Sequence, residues 1–318
     1  MAHFANVALC GRVWLCPVCG PKIRDHRSNE LDVAGAAWIR KHGIGSVMLL
    51  TLTMPHDFAQ SLDQLFGTVR AAFTSLVSGR AWKENKSRYD LAHWVRAYDV
   101  TIGPNGWHPH LHVVVLGRRC LSASELVELE LDLFARWRTT IASRGFRAPT
   151  REHGVRLEQA RTRVDLSRYV CQVVVGGDEK GLPVALEVAR GDLKVSRRSG
   201  HRTPWQVLAD FAETGDSADL TVWREWEQAS SWVHAIRWSN GLRNEVGLDG
   251  ALTDDEAVAV EVGGEVVYVF AMTDWAMVCR VRGGRGEVLR AAEEGGTAGV
   301  VRFIAHLREK RAQITESG

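Results

Sequence analysis

The chain has 318 residues, 45% hydrophobic and 25% charged, ordinary values for a globular protein with a sizeable core and room for two domains. No apolar run reaches transmembrane length and no signal-peptide pattern opens the chain, so a membrane-spanning class is excluded and a cytoplasmic protein is expected. The net charge of +2 conceals an asymmetry: residues 1–206 hold 29 Lys and Arg against 19 Asp and Glu, whereas residues 207–318 hold 11 against 19, which suggests a polyanion-binding half followed by an acidic one.

The first motif is Cys10-x5-Cys16-Pro-Val-Cys19. A C-x-x-C knuckle in a reducing compartment reads as a structural Zn²⁺ site, with three thiolates and a fourth ligand from His3 or His26. A redox C-x-x-C requires a thioredoxin-like strand and helix around it, whereas here a long helix follows over residues 22–42 and stops at Gly43. Cys120, Cys171 and Cys279 are scattered and read as buried free thiols. Residues 46–53, dense in aliphatic side chains between Gly45 and Pro55, predict a buried strand, and residues 62–77 a helix.

Residues 103–106, Gly-Pro-Asn-Gly, form a compact turn between two strand-like runs. If Ile102 faces Trp107 across this hairpin, Asp99 lies opposite His110. Strand side chains alternate, so His108, His110 and His112 share the face of Asp99. Two imidazoles and a carboxylate suit a borderline-hard divalent ion, Mn²⁺ or Mg²⁺, with positions left for water and a substrate oxygen. His108, opposite Thr101, is a fourth contact or an outer residue that orients the ligands. A plain row of exposed histidines explains one His more readily than three at alternate positions beside a paired acid.

Ser122-Ala-Ser-Glu125 is a capping box opening a long amphipathic helix that ends at Gly145. Residues 154–160 predict a short strand, and Asp165 caps a helix to about Val175. Positive charge is densest over residues 144–168 and again at Arg190, Lys194, Arg197, Arg198 and Arg202. Thr203-Pro204 opens another helix, and tryptophans 223, 226, 232 and 238 accompany further ones. A hairpin is expected around Gly263-Gly264 and a helix over residues 298–312. The twelve tryptophans read as packing residues, with one or two left to stack on single-stranded DNA. These elements give an α+β class, an antiparallel sheet with flanking helices and a mostly helical C-terminal region. The divisions are 1–45 for knuckle and helix, 46–200 for the sheet domain, and 201–318.

A metal on a basic sheet suggests phosphodiester chemistry with an in-line nucleophile. Of the four tyrosines, Tyr98 points away from Asp99 and Tyr268 belongs to the acidic half. Tyr169 follows the most basic segment, with Asp165 at i−4, Arg168 beside it and Gln172 at i+3 along the helix.

Taken together, His110-Leu111-His112 followed by three valines, Asp99 and Tyr169 resemble the HUH endonucleases, and within them the rolling-circle replication initiators of small actinobacterial and other Gram-positive plasmids. The resemblance extends to the span from Cys10-Gly to Lys22-Ile23, to Leu50-Thr-Leu-Thr, Asp192-Leu-Lys194, Thr203-Pro-Trp-Gln206 and Trp238-Ser-Asn-Gly-Leu242, covering about residues 5–248. It implies an HUH nicking domain over 46–200, with Asp99, His110 and His112 as ligands and Tyr169 as nucleophile. Attack on single-stranded origin DNA at a hairpin would leave a 5′-phosphotyrosine and a 3′-OH for a host helicase and DNA polymerase to use. Asp165 stands where related initiators carry the acid that activates water for termination. The family commonly has Lys three residues after the tyrosine, where this chain has Gln172, which shifts phosphate orientation toward Arg168 or Lys194. An HUH relaxase or transposase, neither of which usually has such a knuckle, is one alternative. A non-catalytic, metal-containing DNA-binding replication regulator is the other. A His/acid metal oxygenase leaves the arginine clusters unexplained.

Overall fold

The aliphatic and β-branched runs become strands because such side chains pack well on a pleated surface buried on both faces. A computed structural model describes residues 4, 10–162, 200–248, 250, 252–259 and 265–316. His3, Asp165, Arg168, Tyr169, Cys171, Gln172, Arg190, Lys194, Arg197 and Arg198 lie outside the described residues. The chain divides into two units, residues 10–259 and residues 1–9 with 260–318.

In the larger unit, α1 (Cys19–His42) leads to β1 (Val47–Leu52), α2 (Leu62–Leu76), α3 (Gly79–Tyr89), β2 (Leu91–Gly103) and β3 (Gly106–Gly117). Then come α4 (Ala123–Ser143), the single turn α5 (Arg151–Gly154) and β4 (Val155–Gln159). After residue 200 follow α6 (Pro204–Thr214), α7 (Ser217–Ser230), β5 (Ile236–Trp238), α8 (Leu242–Glu245) and α9 (Asp254–Ala259). The strands pair antiparallel in the order β4-β1-β3-β2-β5. Ser61, Ser122 and Thr203 each accept the backbone N–H of the residue three ahead, whose Gln or Glu side chain accepts the cap's own N–H, closing three capping boxes.

The two faces of the sheet are separately packed. Met48, Leu50 and Leu52 of β1 and Leu111, Val113 and Val115 of β3 join Leu65, Phe66, Val69 and Phe73 of α2 and Leu129, Leu133 and Trp137 of α4 in the main core. The alternate residues Val47, Leu49, Val95, Val114 and Leu116 pack instead against Leu31 and Trp38 of α1 and Leu242 of α8. Each such side chain taken fully out of water contributes about 1.5–3 kcal/mol. The apolar cover of this second face gives way, farther along β1, β2 and β3, to Thr51, Asp99, His110 and His112.

The smaller unit contains α10 (Met272–Arg280) and α11 (Gly284–Glu316), the latter kinked at Gly296 (φ 53°) and packed through Val278, Val288, Val300 and Ile304. The turn of the hairpin expected around Gly263-Gly264 lies outside the described residues, while of its flanks Val258 and Ala259 end α9 and residues 265–270 carry no strand. Val258 is buried against Val13 and Ile23, so tertiary packing overrides the β-propensity of the valine-rich run. Cys120 and Cys279 are exposed rather than buried, because one lies in the loop before α4 and the other in the last turn of α10.

Candidate metal centre

The Gly103–Gly106 turn fixes the hairpin register, pairing Ile102 with Trp107 and Asp99 with His110. Gly106 adopts φ +85°, and a Cβ there would lie 3.1 Å from the Phe58 Cα and 3.2 Å from the Asp57 carbonyl oxygen, so glycine is required both by conformation and by close approach. With that register, one ligand atom each from Asp99, His110 and His112 lies within 4.8 Å of the others. His110 Nε2 is 3.1 Å from Asp99 Oδ2. His110 Nδ1, on the side of the ring away from Asp99, is buried and has no hydrogen-bond partner. A nitrogen-nitrogen-oxygen donor set converging within 4.8 Å fits a divalent cation.

The neighbouring strand supplies orientation. Thr51 of β1 pairs with His112, and its hydroxyl lies 3.3 Å from His112 Nδ1, the kind of outer contact that fixes a ligand ring. Arg156 of β4 pairs with Thr51 in turn, so a cation stands two strands from His112 on the same face, ion-paired to Glu158 at 2.6 Å. His108 continues the row, its ring centroid 5.3 Å from that of His110, but its Nδ1 meets His56 Nε2 at 2.8 Å. His56 is anchored through Nδ1 to the Asn105 carbonyl oxygen at 3.0 Å. Burial, followed by the neighbouring His110 and His56, pushes His108 down to about 3, so near neutrality it is an uncharged ring. This arrangement favours the outer, orienting role for His108 over ligation. The sequence links neither Thr51 nor His56 to the centre: Thr51 is one polar residue in an aliphatic strand, and His56 reaches His108 only through the loop after β1.

The cysteines also converge. One Sγ each of Cys10, Cys16 and Cys19 lies within 4.8 Å of the others, with Cys10 and Cys19 3.8 Å apart. Burial raises the Cys19 thiol to about 11, whereas at Cys16 the opposing cost of burial is outweighed by the backbone N–H groups of Cys19 and Val18, which lower it. Three thiols gathered at a helix start fit a soft-to-borderline ion such as Zn²⁺. His26 is not part of this group, its Nε2 being 3.4 Å from Glu30 Oε1.

Arg202 is the described member of the second predicted basic cluster. Its guanidinium binds Asp219 at 2.7 and 2.9 Å and Asp210 at 2.8 Å. Its backbone exchanges hydrogen bonds of 2.7 and 2.8 Å with Ile102, which ties the chain re-entering at residue 200 to the tip of the metal hairpin. His201 lies against Gly103, where a Cβ would come within 2.7 Å of its ring.

The chain is similar to known proteins over most of its length. A family described as "Replication protein" matches residues 2–120, a span that includes both the cysteine cluster and the metal hairpin. The chain is 31% identical to "Protein rep" of Streptomyces lividans over 348 aligned positions, covering 89% of this chain and 75% of that protein. It is also 35% identical over 132 positions to a "Neomycin resistance protein" of Streptomyces cyanogenus, covering 34% of this chain and 30% of that one. No solved structure matches. The long alignment to a replication protein, with most of both chains included, establishes that this chain belongs to the replication-protein (Rep) family.

Proposed function

We propose that the chain is a rolling-circle replication initiator of the HUH endonuclease type, acting on the origin of a plasmid. The observation that carries the reading is the convergence of Asp99, His110 and His112 on one face of the central hairpin of an antiparallel sheet. A divalent ion held there, Mn²⁺ or Mg²⁺, would polarise a phosphoryl oxygen of the scissile phosphate. Thr51 and the His56–His108 pair hold the ligand rings in place.

The nucleophile proposed is Tyr169, which follows the most basic segment of the sequence. Its phenolic oxygen attacks phosphorus, the bond to the 3′ oxygen breaks, and that oxygen takes a proton to become the 3′-OH primer while a 5′-phosphotyrosine remains. A phenol ionises near pH 10, so its proton must be drawn off within the site. Asp165 is assigned the water-activating role in termination. Arg168, Arg190, Lys194, Arg197 and Arg198 are assigned to the DNA backbone, whereas the ion pairs of Arg202 suit it to anchoring. A free 3′-OH implies a host helicase and DNA polymerase as partners. Zn²⁺ on Cys10, Cys16 and Cys19 is assigned a structural role.

The test is to incubate radiolabelled single-stranded origin DNA with the protein and Mn²⁺. A protein–DNA adduct is expected with wild type and absent with Tyr169→Phe or in excess EDTA. Origin binding without an adduct from wild type would favour a non-catalytic regulator, and cleavage at a transposon end in preference to the origin would favour a transposase.

A further inference from the structure

On the sheet face away from the metal, three arginines gather beside Trp232, whose indole N–H donates to Asp63 Oδ1 at 3.0 Å. Arg96 of β2 and Arg237 of β5 are directly paired across the sheet and therefore project from the same face. Arg96 is 4% exposed; its guanidinium lies 5.0 Å from the ring of Tyr98 and 5.6 Å from that of Phe73, and its Nη1 has no hydrogen-bond partner. Arg70 of α2 acts electrostatically on Arg96, as Arg237 does, both opposing its charge. Arg70 also stacks 4.5 Å from the ring of Trp232, which is 37% exposed. Among the described residues none of these three arginines makes an ion pair.

Like charges directly opposite in a sheet destabilise it, and a buried guanidinium with an unsatisfied N–H is costlier still. Cation–π contact with Phe73 and Tyr98 offsets part of this but leaves the charge uncompensated. A bound anion removes both defects at once. An exposed tryptophan beside the cluster adds a flat surface for a base, the combination by which proteins hold single strands.

We propose that Arg70, Arg96 and Arg237 form a phosphate seat, with Trp232 as its stacking platform, for the backbone of a single DNA strand. The seat rests on the reading of the chain as a DNA-processing replication protein but not on its metal chemistry. It gives the protein a second grip on DNA, on the sheet face opposite the nicking centre.

The experiment measures binding of fluorescein-labelled oligo(dT) to the full chain without added Mn²⁺ or Mg²⁺ over a series of NaCl concentrations, alongside thermal unfolding with and without inorganic phosphate. The variants are Arg70→Ala, Arg237→Ala and their double, all at exposed positions and so compatible with folding, plus Trp232→Ala. Loss of two phosphate contacts is expected to make the slope of log K against log salt shallower by about 1.4 in the double variant. Trp232→Ala is expected to weaken binding with the slope unchanged. Inorganic phosphate is expected to raise the Tm of wild type but not of the double variant. Equal affinities and slopes in wild type and double variant overturn the DNA seat, and if phosphate still stabilises wild type selectively, the occupant is free phosphate instead. Failure of wild type itself to bind any single strand contradicts the replication-initiator reading, not the seat alone.

Discussion

Gly106 and Asp165 are the two residues at which single-atom changes separate structure from chemistry most cleanly. Gly106 carries φ +85° at the turn that sets the register of His108, His110 and His112. Gly106→Ala imposes the left-handed penalty of about 1–2 kcal/mol and presses on the Asp57–Phe58 backbone. Urea unfolding should show that loss, and a wild-type midpoint would contradict the turn's role. Asp165→Asn keeps the capping capacity that the sequence assigns to this position, since Asn and Asp cap about equally well, but it accepts no proton near neutrality. First-strand nicking is expected to persist while the covalent adduct accumulates and hydrolytic release stalls. Identical time courses for variant and wild type would leave Asp165 as a cap alone.

At the scale of elements, most of the sheet domain was legible because its signals are local. The Gly-Pro-Asn-Gly turn determines the register, and with it the pairing of Asp99 with His110 and the outward turn of Tyr98 into the other core. Capping-box residues marked the starts of α4 and α6. Helix α3 was missed because Gly79–Tyr89 is polar almost throughout and buries only Trp82, Asn85 and Tyr89. The three-residue β5 is too short for a period, so the pairing of Arg237 with Arg96 had no sequence signal. Thr51 and His56 were invisible for the same reason: they are defined by a neighbour across the fold, not along the chain.

The cysteines belong to this scale too, since they start α1. A metal-bound knuckle there is expected to release zinc in Cys16→Ser and to lower the Tm, because so small a segment buries little apolar area by itself. Elemental analysis of purified wild type finding no zinc would refute it.

Across the larger unit, one buried carboxylate joins three elements. Glu30 of α1 accepts two hydrogen bonds of 2.8 Å from Arg243 of α8 and one of 2.9 Å from Arg27, which in turn binds Asp254 of α9 at 2.8 Å. Burial alone would raise the Glu30 carboxyl, but Arg243 and Arg27 outweigh it and hold it below the usual 4.5. A carboxyl depressed in the folded state stabilises above its unfolded value and loses that contribution as pH falls through its lowered folded value. Glu30→Gln is therefore expected to cost about 3 kcal/mol at pH 7, the order typical of a broken buried pair, with the gap narrowing as pH falls below the ordinary carboxylate value. Denaturant melts of both proteins across pH 3–7 check this; a gap independent of pH would remove the charge from the explanation.

The central claim is that Asp99, His110 and His112 hold one divalent ion. Titration of the purified chain with Mn²⁺, followed by electron paramagnetic resonance of the free ion, tests it without reference to DNA. Wild type and Cys16→Ser are expected to take up Mn²⁺ at a single high-affinity site, and Asp99→Ala, His110→Ala and His112→Ala are each expected to lose it while retaining a cooperative thermal transition. Uptake in the three ligand variants equal to that of wild type would contradict the account.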